Sequence, residues 1–208
     1  MDVDPDRAAI IEALLPQMPF DGWTTKALRQ ALESLGQDPA DAPLIFPNGT
    51  GEMIETYCAV ADQRMAEAAP DFAGLRVPEK VRALIALRLE QNRGDKEAIR
   101  RALAWLALPM NAPVMARTVA ATVDTIWHAA GDTTADFSWY TKRGILAAVY
   151  SATLLYWLRD VSEDDADTLA FLDRRLASVG KIGGVRKKIE AQVNQITETL
   201  RGFTGRRA

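Results

Sequence analysis

Residue types that assemble most metal sites and nucleophilic triads are almost absent from this 208-residue chain, which has one cysteine, Cys58, and one histidine, His128. A lone cysteine excludes a disulfide framework or a Cys-rich metal knot, and a lone histidine excludes every site that needs two imidazoles. Long hydrophobic runs are missing too. The longest, Gly144 to Leu158, has 15 residues, is interrupted by Ser151 and Thr153, and is bounded by Lys142, Arg143, Arg159 and Asp160; spanning a bilayer takes roughly 20. No convincing apolar/polar alternation flanked by turn residues occurs, so strands are not expected. Gly183-Gly184 stands alone, with no Gly-rich phosphate loop around it. The opening Met-Asp-Val-Asp-Pro-Asp is acidic and lacks an apolar core, so neither a secretory signal nor an Arg-rich transit peptide is expected, and the chain reads as intracellular or already processed.

What is present is ordinary globular material, 48% apolar and 25% charged, enough for one sizeable core or two small ones. The net charge of −3 hides an asymmetry: residues 1–72 hold four basic and thirteen acidic residues, net −9, and the remainder is net +6. From Arg174 onward nine Lys/Arg face two acids, so the tail is +7.

Helical periodicity dominates, which predicts an all-α fold of about nine helices with a boundary near residue 47. Ile10, Ile11, Leu14 and Leu15 stripe a first helix that stops at Pro16 and Pro19. Thr24 or Thr25 caps a second, which buries Ala27, Leu28, Ala31, Leu32 and Leu35 and ends at Gly36, giving a helix-turn-helix. Gln37 to Gly51 is expected to be a loop whose Pro43-Leu-Ile-Phe-Pro47 tucks its apolar residues inward. Further helices are expected over 52–70, 78–89, 97–108, 113–131, 142–159, 165–177 and 185–203. The implied organisation is a helix-turn-helix-like region at 1–47, a helical bundle at 48–182 and a basic amphipathic helix at 183–208.

Several constellations are candidates for function. Trp139, Arg143, Leu146, Tyr150, Thr153, Trp157 and Asp160 share one helix face, and Ile145, Ala148, Val149, Ala152 and Leu155 make the other side apolar, so this helix is predicted to lie sandwiched at the centre. Its aromatics either fill a core or wall a lipid pocket or partner surface. Trp105, Leu106, Met110, Val114, Met115, Ile126, Trp127, Leu146, Tyr150 and Leu154, large and adaptable side chains on successive helices, are the candidate walls of an elongated apolar cavity. Asp136, Trp139, Tyr140, Lys142 and Arg143 have the composition of an interface hot spot; their structural alternative is to cap and anchor the helix. In the tail, Val185, Ile189, Val193, Ile196, Leu200 and Phe203 form one apolar edge. Arg186, Lys187 and Lys188 precede it, and Arg201, Arg206 and Arg207 follow. That pattern fits an anionic membrane surface, with packing on the chain's own core or pairing with a twin as alternatives.

Catalytic chemistry is not visible. His128 has Asp124 and Asp132 four residues away on either side, an Asp-His arrangement usable for acid-base work, but no nucleophile elbow or second ligand accompanies it. Cys58, mid-helix, reads as a small buried hydrophobe. No catalytic residue, metal or cofactor is expected. A helix-turn-helix invites a DNA-binding reading, yet duplex affinity comes from neutralising phosphates. The −9 segment repels them, and residues 38–51, where a recognition helix would sit, hold no basic residue, so no nucleic-acid partner is expected.

Certain strings are diagnostic: Phe20-Asp-Gly-Trp23, Leu44-Ile-Phe-Pro-Asn-Gly49, Asp124-Thr-Ile-Trp127 with Gly131-Asp132, and above all Asp136-Phe-Ser-Trp-Tyr-Thr-Lys-Arg143 followed by Tyr150, Thr153, Asp160 and Ser162. Over roughly residues 10 to 178 the chain resembles the ubiquinone-biosynthesis auxiliary family represented by the ninth Coq protein. It departs at Leu169, where the family usually has Trp, and at Gly180 to Gly184, where the family's helix usually continues. The resemblance implies a TetR-like, all-α homodimer that binds isoprenoid or quinone lipid without catalysis. It further implies a role in presenting a hydrophobic intermediate to the membrane-bound di-iron hydroxylase that acts on demethoxyubiquinone, docked through the Asp136 to Arg143 region. The implied location is peripheral to the inner membrane on the cytoplasmic side in a bacterium, or on the mitochondrial matrix side for a processed eukaryotic form. A TetR-like ligand-responsive transcriptional regulator is the alternative, and an enzyme in its own right a third possibility.

Overall fold

The structure, a computed structural model, describes residues 3–131 and 138–179, with side chains in the second span from residue 141. Among these residues there is no strand, and nine helices are formed: α1 (Pro5–Leu14), α2 (Thr25–Ser34), α3 (Ala42–Ile45), α4 (Thr50–Glu67), α5 (Val77–Gln91), α6 (Lys96–Leu106), α7 (Ala112–Ala129), α8 (Ser138–Trp157) and α9 (166–179).

Local chemistry sets the helix ends. The Thr24 hydroxyl accepts from the Ala27 amide at 3.2 Å, capping α2. At its other end Gly36 takes φ +71°, the Gly36 amide donates to the Glu33 carbonyl at 3.0 Å, and the Gln37 amide donates to the Leu32 carbonyl at 2.9 Å. This is a Schellman closure, and it needs a residue that tolerates left-handed backbone. Pro5, Pro78 and Pro113 each stand in a helix's first turn, where a missing amide proton costs nothing.

The span expected to be a loop is instead a 3₁₀ turn at Pro39–Asp41 leading into α3. Of the string Pro43–Pro47 only Phe46 is buried and Ile45 half-buried; Phe46 joins buried Ala42, four residues before it, whereas Leu44, on the opposite side of the turn, is 79% exposed.

One apolar cluster runs from α1 to α9. Trp23 ties the N-terminal helices to the rest: its indole N–H donates to the Ala98 carbonyl at 2.9 Å, its ring meets Tyr57 at 5.4 Å, and its carbonyl accepts from Thr50 at 2.8 Å. Helix α4 packs on α1, α5 and α7, and α7 packs on α4, α5, α6 and α8, so these two are central. Helix α8, which the sequence predicts to lie at the centre, is peripheral in the single chain. Leu146, Val149, Tyr150, Thr153 and Trp157 are buried against α5 and α7, while Ile145, Ala148 and Leu155 face outward.

The junction between α8 and α9 is held by Asp160. One carboxylate oxygen accepts from the Ser162 amide at 2.8 Å and the Ser162 hydroxyl at 2.6 Å; the other accepts from the amide of Thr168 at 2.8 Å and from its hydroxyl. Burial works against the charge, but these bonds outweigh it and hold the carboxyl well below the usual range. Lys96 adds a bond to the Asp160 carbonyl at 3.2 Å and lies 4.6 Å above the Trp157 ring.

Candidate functional site

Helices α4 to α8 surround a cavity of about 260 Å³. Its walls are mainly apolar: Ile99, Ala102, Leu103 and Leu106 from α6, Met115 and Val119 from α7, Leu154 and Leu155 from α8. Leu155 is 57% exposed and Ala107 is also at the surface, which marks the mouth on the α6 and α8 side. Two open grooves adjoin it. One, between α4 and α7, measures about 630 Å³ and shares Cys58 and Thr118 with the cavity. The other, between α7 and α8, measures about 520 Å³ and shares Met115, Val119 and Ser151.

The inner end of the cavity is polar. Arg88 on α5 and Asp62 on α4 are both buried to 4% exposure, and the Arg88 Nε donates to Asp62 Oδ1 at 2.7 Å. Thr122 on α7 donates to the other carboxylate oxygen at 2.8 Å, so Asp62 is bonded through both oxygens. Arg88 Nη2 reaches the Cys58 carbonyl at 3.5 Å, and its guanidinium carbon lies 5.6 Å from the Tyr150 ring centre. A buried charge is tolerated only when so paired. Tyr57 completes this end, donating to Asn92 Oδ1 at 3.1 Å with Asp95 Oδ2 at 3.3 Å. Burial pushes the Tyr57 and Tyr150 hydroxyls well above the ordinary tyrosine value, so both remain protonated donors at neutral pH. Burial likewise pushes the Cys58 thiol up to about 12, the opposite of what a nucleophilic cysteine needs.

Of the ten side chains expected as cavity walls, Leu106, Met115, Tyr150 and Leu154 line it. The rest are elsewhere. Trp105 lies against α4, where a Cβ on Gly51 would sit 3.2 Å from its ring and 3.7 Å from Val114; glycine at 51 leaves room for the indole. Ile126 and Leu146 are buried in the core and Trp127 packs half-buried against it. Met110 does not line the cavity, because it sits on a 3₁₀ turn between α6 and α7 and is 82% exposed. Of the expected partner surface, Arg143 pairs with Asp124 and Lys142 is half-buried; Asp136 and the side chains of Trp139 and Tyr140 lie outside the described residues. Of the two carboxylates expected beside His128, Asp124 instead bonds Arg143 and Asp132 lies outside the described residues; His128 itself is exposed. The membrane-binding set Arg186, Lys187, Lys188, Ile189, Ile196, Leu200 and Phe203 also lies outside the described residues.

Arg88, Asp62 and Thr122 fall outside the site residues expected from the sequence. The signal was there: Arg88 falls three residues after Ile85 and four after Leu84, on the buried stripe of its helix, and Asp62 directly follows buried Val60 and Ala61. A charge at a core-facing position asks for a buried counter-charge. Among the described residues no cluster of three or more His, Cys, Asp or Glu could hold a metal, and no helix is long and apolar enough to cross a membrane.

Comparison with known proteins agrees with the diagnostic strings. The COQ9 family model matches residues 112–183. The chain is 32% identical over 201 residues to human "Ubiquinone biosynthesis protein COQ9, mitochondrial", covering 93% of this chain and 63% of that protein. It is 31% identical over 202 residues to COQ9-B of Xenopus laevis, also named mitochondrial, covering 93% and 69%. The chain thus spans a little under two thirds of the human and rat relatives, 63% and 64% of their lengths. A TetR transcriptional regulator from Nitrosomonas europaea superposes with a TM-score of 0.65 at 24% identity, covering 84% of this chain and 98% of that one, which identifies the fold as TetR-like. With nearly the whole chain aligned to 69% of a relative at 31% identity, it belongs to the COQ9 family.

Proposed function

We propose that this protein is a non-catalytic, lipid-binding accessory factor of ubiquinone biosynthesis, and that the cavity between α4 and α8 receives the lipid. The observation that carries the reading is an apolar chamber with one polar end inside a chain of a family whose members are named for ubiquinone biosynthesis. Its volume of about 260 Å³ lies just under the roughly 300–1,000 Å³ of typical small-molecule pockets. It therefore suits a ring-sized head and the start of a chain, with the rest of a prenyl tail continuing over the adjoining α7–α8 groove. Cys58, its thiol pushed up to about 12, is unsuited to act as a nucleophile, and His128 has no carboxylate partner among the described residues.

Delivery to a membrane-bound hydroxylase is part of the same proposal. Asp136, Trp139, Tyr140, Lys142 and Arg143 are its docking candidates, and the basic amphipathic segment 183–208 is its candidate membrane contact. The outward apolar face of α8, with Ile145, Ala148 and Leu155, is a candidate homodimer surface. A transcription-regulator role is disfavoured on electrostatic grounds: α3, in the recognition-helix position, is four residues long and lies within a segment of net charge −9.

Native mass spectrometry combined with organic extraction of the purified protein tests this reading. A co-purifying isoprenoid or quinone, displaced by Ala102→Phe, is expected, because a phenyl ring at that wall position occupies the chamber. Lipid-free protein whose melting temperature does not respond to added quinone would contradict it.

A further inference from the structure

Two hydrogen-bond donors at the inner end of the cavity have no partner among the described residues. Arg88 uses Nε on Asp62 and Nη2 on the Cys58 carbonyl, leaving Nη1 without a hydrogen bond, and the Tyr150 hydroxyl makes none. Both residues are 4% exposed and both line the cavity. The side-chain polar atoms that are sealed off and unbonded lie elsewhere, at Arg7, Gln30, Gln91, Trp127 and Trp157, so these two donors keep access to the chamber they line. Two desolvated donors held together by α5 and α8 are an expense unless an acceptor meets them.

We propose that Arg88 and Tyr150 are the selectivity determinants of the cavity, donating hydrogen bonds to an oxygen on the ring of a neutral quinone or phenol lipid. The proposal rests on the lipid-site reading above and specifies its ligand. The neutrality follows from Asp62. Arg88 is the only charged side chain among the described lining residues, and a carboxylate 2.7 Å away already balances it. A phosphate would bring uncompensated negative charge into a buried site, at a desolvation cost nothing there offsets. A bare hydrocarbon end would leave both donors unsatisfied. A carbonyl or hydroxyl oxygen avoids both penalties, and the Arg88 guanidinium carbon 5.6 Å from the Tyr150 ring centre keeps the two donors side by side at this end.

The test measures binding of three probes with a common tail to the full chain by calorimetry: 2-decyl-1,4-benzoquinone, decylbenzene and decyl phosphate. The quinone is expected to bind about tenfold or more tightly than decylbenzene, as befits one charge-assisted and one neutral hydrogen bond, and decyl phosphate is expected to bind more weakly than the quinone. Tyr150→Phe removes a hydroxyl with no protein partner, so its circular dichroism melt should match the wild type. Its affinity for the quinone should fall about threefold to tenfold while decylbenzene stays within about twofold. Equal affinity for quinone and decylbenzene, tighter binding of decyl phosphate, or an unchanged Tyr150→Phe overturns the assignment and leaves the lipid cavity standing. Failure of all three probes to bind overturns the lipid-site reading itself. The three-probe comparison on the wild type decides the matter even if a variant misfolds.

Discussion

Replacing Arg88 by methionine tests how the polar end of the cavity is held together. Methionine keeps much of the aliphatic stem and fills a similar volume, so the main loss is the guanidinium. Asp62 is then left at 4% exposure with only the Thr122 hydroxyl, 2.8 Å from one oxygen, to solvate it. Removing one partner of a buried ion pair costs about 3–5 kcal/mol, mostly the penalty of the stranded charge, whereas replacing both partners by apolar residues is often near neutral or stabilising. Arg88→Met should therefore lower stability by about 3–5 kcal/mol, and Arg88→Met with Asp62→Leu should recover most of it. For a domain of this size the single variant's melting temperature should fall by about 6–20 °C. Urea denaturation followed by circular dichroism gives the comparison directly. A single-variant loss below about 1 kcal/mol, or a double variant no more stable than the single, would refute the view that Asp62 and Arg88 are energetically one unit.

Other perturbations bear on other parts of the molecule. Asp160→Asn should lower the melting temperature at neutral pH. Because the folded carboxyl is held below its ordinary value of 3.8, the stability its ionisation provides is present above about pH 4 and lost as pH falls below it. The gap between wild type and Asp160→Asn should thus narrow on acidification, and a gap that widens would be contrary. Gly51→Leu should cost about 1–3 kcal/mol by overpacking, with a shift in tryptophan emission as Trp105, whose ring would lie 3.2 Å from the new Cβ, is displaced; unchanged stability and emission would place that contact elsewhere. Cys58, its thiol pushed up to about 12, should react slowly with a disulfide reagent at pH 8 and faster in urea, and added quinone should slow it further; rapid native labelling would count against its burial. Trp139→Ala and Tyr140→Ala should abolish capture of the hydroxylase while leaving the melt nearly unchanged, and loss of folding instead would assign those residues a structural role.

Much of the architecture was legible because it is written in local chemistry. Thr24 and Gly36 marked both ends of α2, the prolines marked helix starts, and period-3.6 stripes named most of the buried residues. Family membership was legible from the Asp136 to Arg143 string and its spaced companions. What was less legible depends on tertiary placement. A proline-rich segment after Gly36 read as loop, yet α3 forms there because Pro43 suits a first turn and Ala42 and Phe46 can face α2 together. Helix α8 read as central because both faces are apolar, and sequence alone does not say which face the single chain covers. Met110 has the chemistry of a wall residue but stands in a turn, and Trp105 is claimed by Gly51. The polar end of the cavity joins residues 62, 88, 122 and 150 from four helices. Each half of its ion pair was detectable as a charge on an apolar stripe, but their meeting required the fold.

Where lipid sits is open to direct observation by irradiating the full chain with a photoreactive azidobenzoquinone carrying a prenyl tail and sequencing the labelled peptides. The expected result is label concentrated on the peptides bearing Arg88, Met115 and Tyr150, suppressed by excess unlabelled quinone and absent in Ala102→Phe. Label spread over the outer α4–α7 groove alone, or undiminished in Ala102→Phe, would contradict a quinone held between α4 and α8.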